Sequence, residues 1–453
     1  MIKVVKFGGS SLASAVQFKK VRAIIDSDRS RNFVIPSAPG KRNDGDTKVT
    51  DMLYKYYDLV CLGEDGSKIR ERIQKRFQEI IDGLKLDFNI NPEFEKMEQN
   101  FKQGYGRDYA ASRGEYLNGM IMSRYLKIPF IDAADVICFD RNGNFLPEKT
   151  NTFLQNVLLP IKRAVIPGFY GSMPDGKIKT FSRGGSDITG SLVARAVMAD
   201  LYENWTDVSG FLLADPRIVE NPVPISTITY KELYELSAMG ASVLHEDAVF
   251  PVKQAGIPIN IKNTNHPEDE GTMIVNSTEV KPSYKITGIA GKKGFCAVNI
   301  CKGVLNWENE YAGKVLDVLT ENEVPFKYVP SEEEEKMSIL VDQKTFQEKE
   351  AFIIPKIYDL IHPESVSLES DLALVAVGRR GFHSGKRIEG RVFSALENAK
   401  INVRTVESRS EEQSMLIGVY TKDFELAVRT IYNNFIKAAV VERRKKPSLP
   451  GNW

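Results

Sequence analysis

The residues best suited to chemistry cluster in Thr180-Phe-Ser-Arg-Gly-Gly-Ser-Asp-Ile-Thr-Gly190. Arg183 offers a guanidinium fork for a carboxylate or phosphate, and Asp187 adds one negative charge. Gly184 and Gly185 let the backbone approach a ligand with no Cβ in the way. The stretch follows an apolar–polar segment over residues 176–181. It runs into a pattern that places Ile188, Leu192, Val193 and Ala196 on one helical face. It therefore reads as strand, glycine turn and helix N-terminus, whose first amides lack internal acceptors and favour an anion. A plainer reading makes it an ordinary turn with Ser186 or Asp187 as N-cap. The motif alone does not choose between them.

A second strand–glycine turn–helix unit opens the chain. Residues 2–7 read as a buried strand ending in Gly8-Gly9-Ser10-Ser11, and the following helix carries Phe18, Val21, Ile24 and Ile25 on one face. Lys6 stands at the strand end, where its side chain would project over the turn; the alternative is a solvated lysine. Two glycine turns with a lysine, an arginine and an aspartate suit a phosphoryl anion held between opposed backbone turns. No Walker A pattern and no protein-kinase motif set occurs.

The elements between these turns position them. Residues 33–36 form a strand, 37–40 its turn and 41–50 a polar loop, with Thr50-Asp51 starting a helix. Residues 67–84 make an amphipathic packing helix with Ile73, Phe77 and Ile80 inward and a charged outer face. Arg113-Gly-Glu115 is expected to precede a further helix, and a lone carboxylate such as Glu115 is ordinarily just solvated. Residues 128–132, 136–139 and 164–170 are expected as strands, 230–239 and 245–255 as helices, and 257–261 as a closing strand. This alternation over residues 1–280 predicts one α/β domain, with a largely parallel central sheet and helices on both faces.

From about residue 285 an internal repeat appears. Gly313-Lys-Val-Leu-Asp-Val-Leu319 matches Gly390-Arg-Val-Phe-Ser-Ala-Leu396 at an offset of 77 residues, and residues 297–300 match 374–377 at the same offset. Two βαββαβ ferredoxin-like modules are predicted, over 285–365 and 370–440. The charge run Glu332 to Glu335 reads as a solvated hairpin tip.

Bulk properties exclude some classes. A length of 453 residues calls for two or three domains. Charged residues make up 27% yet sum to +1, which gives no footprint for nucleic acid or a membrane surface. The four cysteines have no metal spacing; Cys296 and Cys301 are expected as buried thiols. The N-terminus reads as a strand and not a signal peptide, and a cytoplasmic location is expected.

Four motifs in order carry a resemblance: Lys6-Phe-Gly-Gly-Ser-Ser11, Ser182-Arg-Gly-Gly-Ser-Asp187, Thr206-Asp-Val-Ser-Gly210 with Ala214-Asp-Pro-Arg217, and Gly240-Ala-Ser-Val-Leu-His245. With the repeat, they make nearly the whole chain resemble the aspartate kinases of the amino-acid kinase superfamily, which carry two C-terminal ACT modules. The resemblance implies ATP-dependent phosphorylation of the L-aspartate side-chain carboxylate, with Mg²⁺ held mostly by ATP and water and no protein metal cage. It implies that Lys6 contacts the transferring phosphoryl group and Asp187 orients it. Arg183 would pair the substrate α-carboxylate, and Glu115 its ammonium, reversing the solvated reading. Ser37, Ser186 and Thr50 complete the substrate side. Thr47 is the alternative to Thr50, because residues 41–49 look like an insertion. Gly8, Gly9, Ser10, Thr206, Asp207, Leu212, Asp215, Arg217 and Ser242 would line the nucleotide side.

Two residues depart from the family pattern. Leu212 stands where the family commonly has tyrosine, and Ser242 where it has lysine; both imply altered nucleotide affinity. The ACT-like modules imply a homodimer or higher homo-oligomer and feedback by lysine or threonine, with Asn306, Glu310, Lys314 and Ser331 as effector contacts. A glutamate-directed kinase is disfavoured by the repeats and the Thr206 to Arg217 motifs. A non-catalytic amino-acid sensor would suit Leu212 and Ser242, but not the retained Lys6 and Asp187. A kinase–dehydrogenase fusion is not expected, since the chain ends at Trp453 with no Rossmann segment.

Overall fold

The computed structural model describes residues 1–182, 184–238, 244, 246–278, 284, 286–302, 309–329, 336–379, 385–407 and 414–445. In chain order the first elements are β1 Lys3–Phe7, α1 Ala15–Asp26, β2 Arg31–Pro36, α2 Val49–Cys61, α3 Ser67–Gly83, α4 Asn91–Lys102, α5 Gly106–Leu126, α6 Ala133–Val136 and α7 Pro147–Leu158. Next come β3 Ala164–Val165, β4 Tyr170–Ser172, β5 Ile178–Thr180, α8 Gly185–Ala196, β6 Leu201–Thr206, β7 Thr227–Thr229, α9 Tyr230–Ala238, α10 Glu246–Gln254, β8 Ile259–Asn263 and β9 Thr272–Val275.

The chain packs as two compact units. The first comprises Met1–Phe211, Pro224–Tyr230 and Val243–Thr278. Its seven-stranded sheet runs β3-β2-β1-β6-β8-β9-β7. The pairs from β3 to β8 are parallel and β8–β9 is antiparallel. Central β1 has four of its five residues buried, as a parallel strand covered on both faces must. Helix α1 buries Phe18, Val21, Ile24 and Ile25, the face read from its spacing.

A buried ion network ties the sheet's neighbours together. Glu203 on β6 accepts from Arg31 Nε at 2.8 Å and Trp205 Nε1 at 2.8 Å, and Lys3 Nζ lies at 3.3 Å. A carboxylate out of water is tolerable only when it is surrounded by donors in this way.

Several local expectations are corrected. Residues 128–132 and 136–139 are not strands; they contribute isolated bridges at Phe130, Cys138 and Phe139 around the short α6. Asp132 accepts from the Ala134 amide at 3.0 Å, a local cap that competes with sheet pairing. Residues 164–170 are broken into β3 and β4 by Phe169, whose φ is 83°. Helix α5 begins at Gly106 and absorbs Arg113 to Glu115. The outer face of α3 is not wholly solvated, because Arg76 is buried. Cys301 is only partly buried, and no cysteine is paired.

The second unit comprises Leu212–Val223, Lys231–Ser242 and Glu279–Trp453. Its remaining elements are β10 Ile286–Cys301, α11 Asn309–Glu321, β11 Phe326–Val329, β12 Lys336–Asp342, α12 Gln343–Gln347, α13 Glu350–Ile361, β13 Ser365–Arg379, α14 Gly385–Asn398, β14 Val403–Glu407, β15 Ser414–Tyr420 and α15 Phe424–Lys445. One antiparallel sheet of order β11-β12-β10-β13-β15-β14 contains both repeats. The long strands β10 and β13 pair along their whole length, Ile286 with Arg379 and Cys301 with Ser365.

The second half of β10 also pairs with β12, and the second half of β13 with β15. Each ferredoxin-like half therefore takes its fourth strand from the other half's long strand. The first module is contiguous, whereas the second is completed by the start of β10, upstream in sequence. The sheet curls until its outer strands meet, with Lys327 Nζ 3.2 Å from Glu407 Oε2. Cys296, Val298, Ile300, Val315, Leu319, Ile339, Ile353 and Ile357 form the core of the first half. The acidic run 332–335 lies outside the described residues. Among the described residues no helix is long and apolar enough to cross a membrane.

Candidate active site

The site is built on the carboxyl end of β1. Lys6 pairs in register with Ile35 of β2 and Asn204 of β6, and it is 8% exposed. Helix α8 packs against β1 and β2 and brings Asp187, the third residue of the helix, onto the lysine. Lys6 Nζ lies 2.6 Å from Asp187 Oδ1. The N-cap of α8 is Gly184 in the left-handed region (φ 60°), with no side-chain cap bond, so neither Ser186 nor Asp187 is an ordinary N-cap. Glycine fits here because other L-residues pay a steric cost in that region. A carboxylate in the first turn also meets the positive end of the helix dipole.

Two polar contacts from outside the sequence motifs hold Asp187, and a third ties down the neighbouring glycine turn. Asn204 Nδ2 donates to Asp187 Oδ1 at 2.7 Å, and Tyr202 Oη to the Asp187 carbonyl at 3.2 Å. Ser11 and Thr264 share a hydroxyl hydrogen bond of 2.8 Å that ties the first glycine turn to the end of β8. The strand-pairing register would have revealed Asn204, because it stands opposite Lys6. A single sequence does not contain that register.

The first glycine turn leads into a short 3₁₀ turn, Ser10–Leu12, and α1 starts only at Ala15. Gly8 donates its amide to the Trp205 carbonyl at 3.0 Å, and Gly9 and Ser10 follow it along the turn. Both line a cavity of about 480 Å³ together with Gly40, Lys41, Arg42, Lys48, Thr50, Glu115 and Asp207. Thr47 is not among its lining residues. Ser37 is held at the end of β2: its amide donates to the Phe7 carbonyl, and its own carbonyl accepts from Asn118 Nδ2 at 2.6 Å. Ser186 is 8% exposed and packs against Gly168. Thr206 ends β6 and donates its hydroxyl to Asp207 at 3.1 Å.

Glu115 is the unusual group in the cavity wall. It is 6% exposed, and its Oε2 has no hydrogen-bond partner. Burial pushes its carboxyl up to about 8, against the pull of the Ala38 amide and the Arg113 and Lys6 charges. A desolvated carboxylate with one oxygen left unpaired suits a cationic ligand group that supplies the missing donor. Among the described residues no three His, Cys, Asp or Glu side chains converge as a metal cage.

Of the other predicted residues, some belong to the second unit and some lie outside the described residues. Leu212, Asp215 and Arg217 belong to the second unit, where Arg217 forks the Asp215 carboxylate at 2.6 to 3.1 Å. Lys314 lies on α11, its Nζ 5.5 Å from the Tyr311 ring centroid. Glu310 is placed on α11 by its backbone. Arg183, Ser242, Asn306 and Ser331 lie outside the described residues.

Comparison with known proteins matches this arrangement to a family. The amino acid kinase family model matches residues 1–263, and an ACT domain model matches 375–435. Aspartokinase 3 of Bacillus subtilis is 35% identical over 460 residues, spanning 97% of this chain and 100% of that protein. The crystal structure of Clostridium acetobutylicum aspartate kinase, described as an allosteric enzyme, is 49% identical with a TM-score of 0.90. It covers 96% of this chain and 100% of its own. Escherichia coli aspartokinase III, 23% identical, shares the fold over 96% of this chain and 99% of its own. Its TM-scores are 0.74 in complex with aspartate and ADP (R-state) and 0.72 with lysine and aspartate (T-state). The chain therefore belongs to the amino acid kinase family, and within it to the aspartate kinases, with an ACT-containing C-terminal unit.

Proposed function

We propose that the enzyme transfers the γ-phosphoryl group of ATP to the side-chain carboxylate of L-aspartate, and that the Lys6–Asp187 pair and the Glu115 cavity form its site. The observation that carries this reading is the buried Lys6–Asp187 contact of 2.6 Å between two glycine turns, beside a cavity whose Glu115 has one oxygen without a hydrogen-bond partner. The attacking carboxylate has an ordinary pKa of about 3.9 and is already ionised, so no general base is required. One carboxylate oxygen bonds to the γ-phosphorus as the bond to the ADP oxygen breaks. The obstacle is repulsion between two anions, so positioning and charge neutralisation do the catalysis.

Each residue then takes a role. Lys6 neutralises charge on the transferring group, and Asp187 holds Lys6 in place. Glu115 takes the substrate ammonium, Arg183 its α-carboxylate, and Ser37, Thr50 and Ser186 supply hydroxyls. Gly9, Ser10, Thr206 and Asp207 face the phosphates. The cavity lining includes one aspartate from this nucleotide set, Asp207. That suits Mg²⁺ carried on the nucleotide phosphates with retained water, where it screens their charge.

The ACT modules bind an amino-acid effector, lysine or threonine, through Asn306, Glu310, Lys314 and Ser331, and join subunits as a homodimer or larger homo-oligomer. The duplicated half-modules and the lysine complex of the E. coli relative support this. Effector binding then shifts the population of active enzyme. The product would feed lysine, threonine and methionine synthesis in the cytoplasm, where four unpaired thiols are at home. A coupled hydroxamate assay with ATP, Mg²⁺ and aspartate tests the reaction, with glutamate as control; turnover of glutamate instead would overturn it. Titration with lysine and threonine, singly and together, tests the regulation, and indifference to both counts against it.

A further inference from the structure

The loop over residues 37–48 is the part of the cavity wall for which the family resemblance offers the least guidance. It brings Lys41, Arg42 and Lys48 to the cavity. Only Ala38 and Pro39 within it are buried, so apolar packing does little to fix its course. Ordering such a stretch costs backbone conformational entropy at every residue. Specific polar contacts must offset that cost.

Those contacts converge on Arg76 of α3, which is 5% exposed although it lies on a helix that otherwise presents charges to water. Its guanidinium pairs with the Asp46 carboxylate near the end of the loop. It also donates to the Gly40 carbonyl at 2.8 Å and to the Ala13 carbonyl at 3.4 Å. Asp46 in turn accepts from Arg42 Nε at 2.9 Å, the Arg42 amide at 3.1 Å and the Thr47 amide at 3.0 Å. Gly40 donates to the Gly9 carbonyl at 2.8 Å, and a Cβ on Gly40 would stand 2.5 Å from the Gly9 carbonyl carbon. One guanidinium thus spans three segments: the residue after the first glycine turn, the point where the loop crosses that turn, and the loop's far end.

We propose that Arg76 and Asp46 are positioning residues for aspartate binding, holding the 37–48 loop in the shape that completes the substrate cavity. The inference rests on the assignment of Thr50 and Glu115 in that cavity to aspartate. A planar fork is needed, because three acceptors in different directions cannot be met by the single point charge of a lysine.

The test uses the full-length enzyme with Arg76→Met, Arg76→Lys and Asp46→Asn. Two readouts are taken: steady-state constants for both substrates, and hydrogen exchange of peptides spanning 41–48 without ligand. Arg76→Met should speed exchange in the loop and raise the aspartate KM at least tenfold, with the ATP KM and kcat within about twofold. Arg76→Lys should fall between it and the parent. Asp46→Asn breaks the same contact from the loop side and should reproduce the shift, which covers a failure of Arg76→Met to fold. Faster loop exchange with an unchanged aspartate KM overturns the proposal, as does a raised KM with unchanged exchange. Glu115→Gln is measured alongside. An unchanged aspartate KM there unseats the Glu115 assignment, while exchange and KM moving together in the Arg76 and Asp46 variants still supports the clamp.

Discussion

Lys6 and Asn204 face each other across the parallel β1–β6 pair, and both side chains reach the same atom, Oδ1 of Asp187, at 2.6 and 2.7 Å. Two donors on one oxygen fix the carboxylate's rotation and leave its other oxygen unclaimed by either. Lys6→Met should lower kcat by about 10²–10³-fold, the usual loss for one preorganised electrostatic contact. Circular dichroism should stay unchanged. Normal turnover would remove Lys6 from the mechanism.

Asn204→Leu keeps size and burial but deletes one hydrogen bond to a charged group, on the order of 1.5 kcal/mol. The expected result is a roughly tenfold fall in kcat with both KM values little changed. A change confined to thermal stability would show that Asn204 serves only packing.

Glu115 gives a pH signature. Its carboxyl sits at about 8 in the free protein because of burial, so at pH 7 it is mostly protonated, whereas pairing with an ammonium requires the carboxylate. Aspartate binding at pH 7 should therefore release a proton, and the aspartate KM should fall as pH rises from 6 to 8. Calorimetry in buffers of different ionisation enthalpy measures the proton directly; zero release would contradict the pairing. The linkage to stability has the opposite sense to that of a salt-bridged acid. The folded value lies above the unfolded one, so Glu115 costs nothing below about 4.5 and costs progressively more as pH climbs to about 8. Glu115→Gln should accordingly flatten the decline of melting temperature between pH 5 and 8.

Thr50 lines the cavity and Thr47 does not. Thr50→Val should raise the aspartate KM about tenfold, the equivalent of one charge-assisted hydrogen bond. Thr47→Val should change it less than twofold. The reverse order would place Thr47 on the substrate.

Glu203→Gln addresses the frame and not the chemistry. It leaves Arg31 buried beside a neutral group, a loss of about 3–5 kcal/mol, while Lys3 keeps its ion pair with Asp28. The Trp205 fluorescence transition should move to markedly lower temperature or urea, because the Trp205 indole donates to the same carboxylate.

The sequence by itself determined the elements whose cause is local. Hydrophobic period fixed β1 and the buried face of α1, glycine spacing fixed the two turns, and the 77-residue offset announced a duplicated unit. Lys6 and Asp187 were legible because each abuts a glycine turn. Expectation failed where longer-range constraints act. Phe169 breaks a predicted strand so that Gly168 can approach Ser186, and, more locally, Asp132 caps a helical turn between two other predicted strands.

Tertiary structure alone decided the rest. Strand register set Asn204 opposite Lys6, burial left one oxygen of Glu115 without a partner, and Arg76 on a helix read as packing became the anchor of a distant loop. The exchange of strand halves between β10 and β13 belongs here too. The physical reason is common to all four. Desolvation and hydrogen-bond partnership depend on which segments meet, and one chain's local pattern does not encode that meeting.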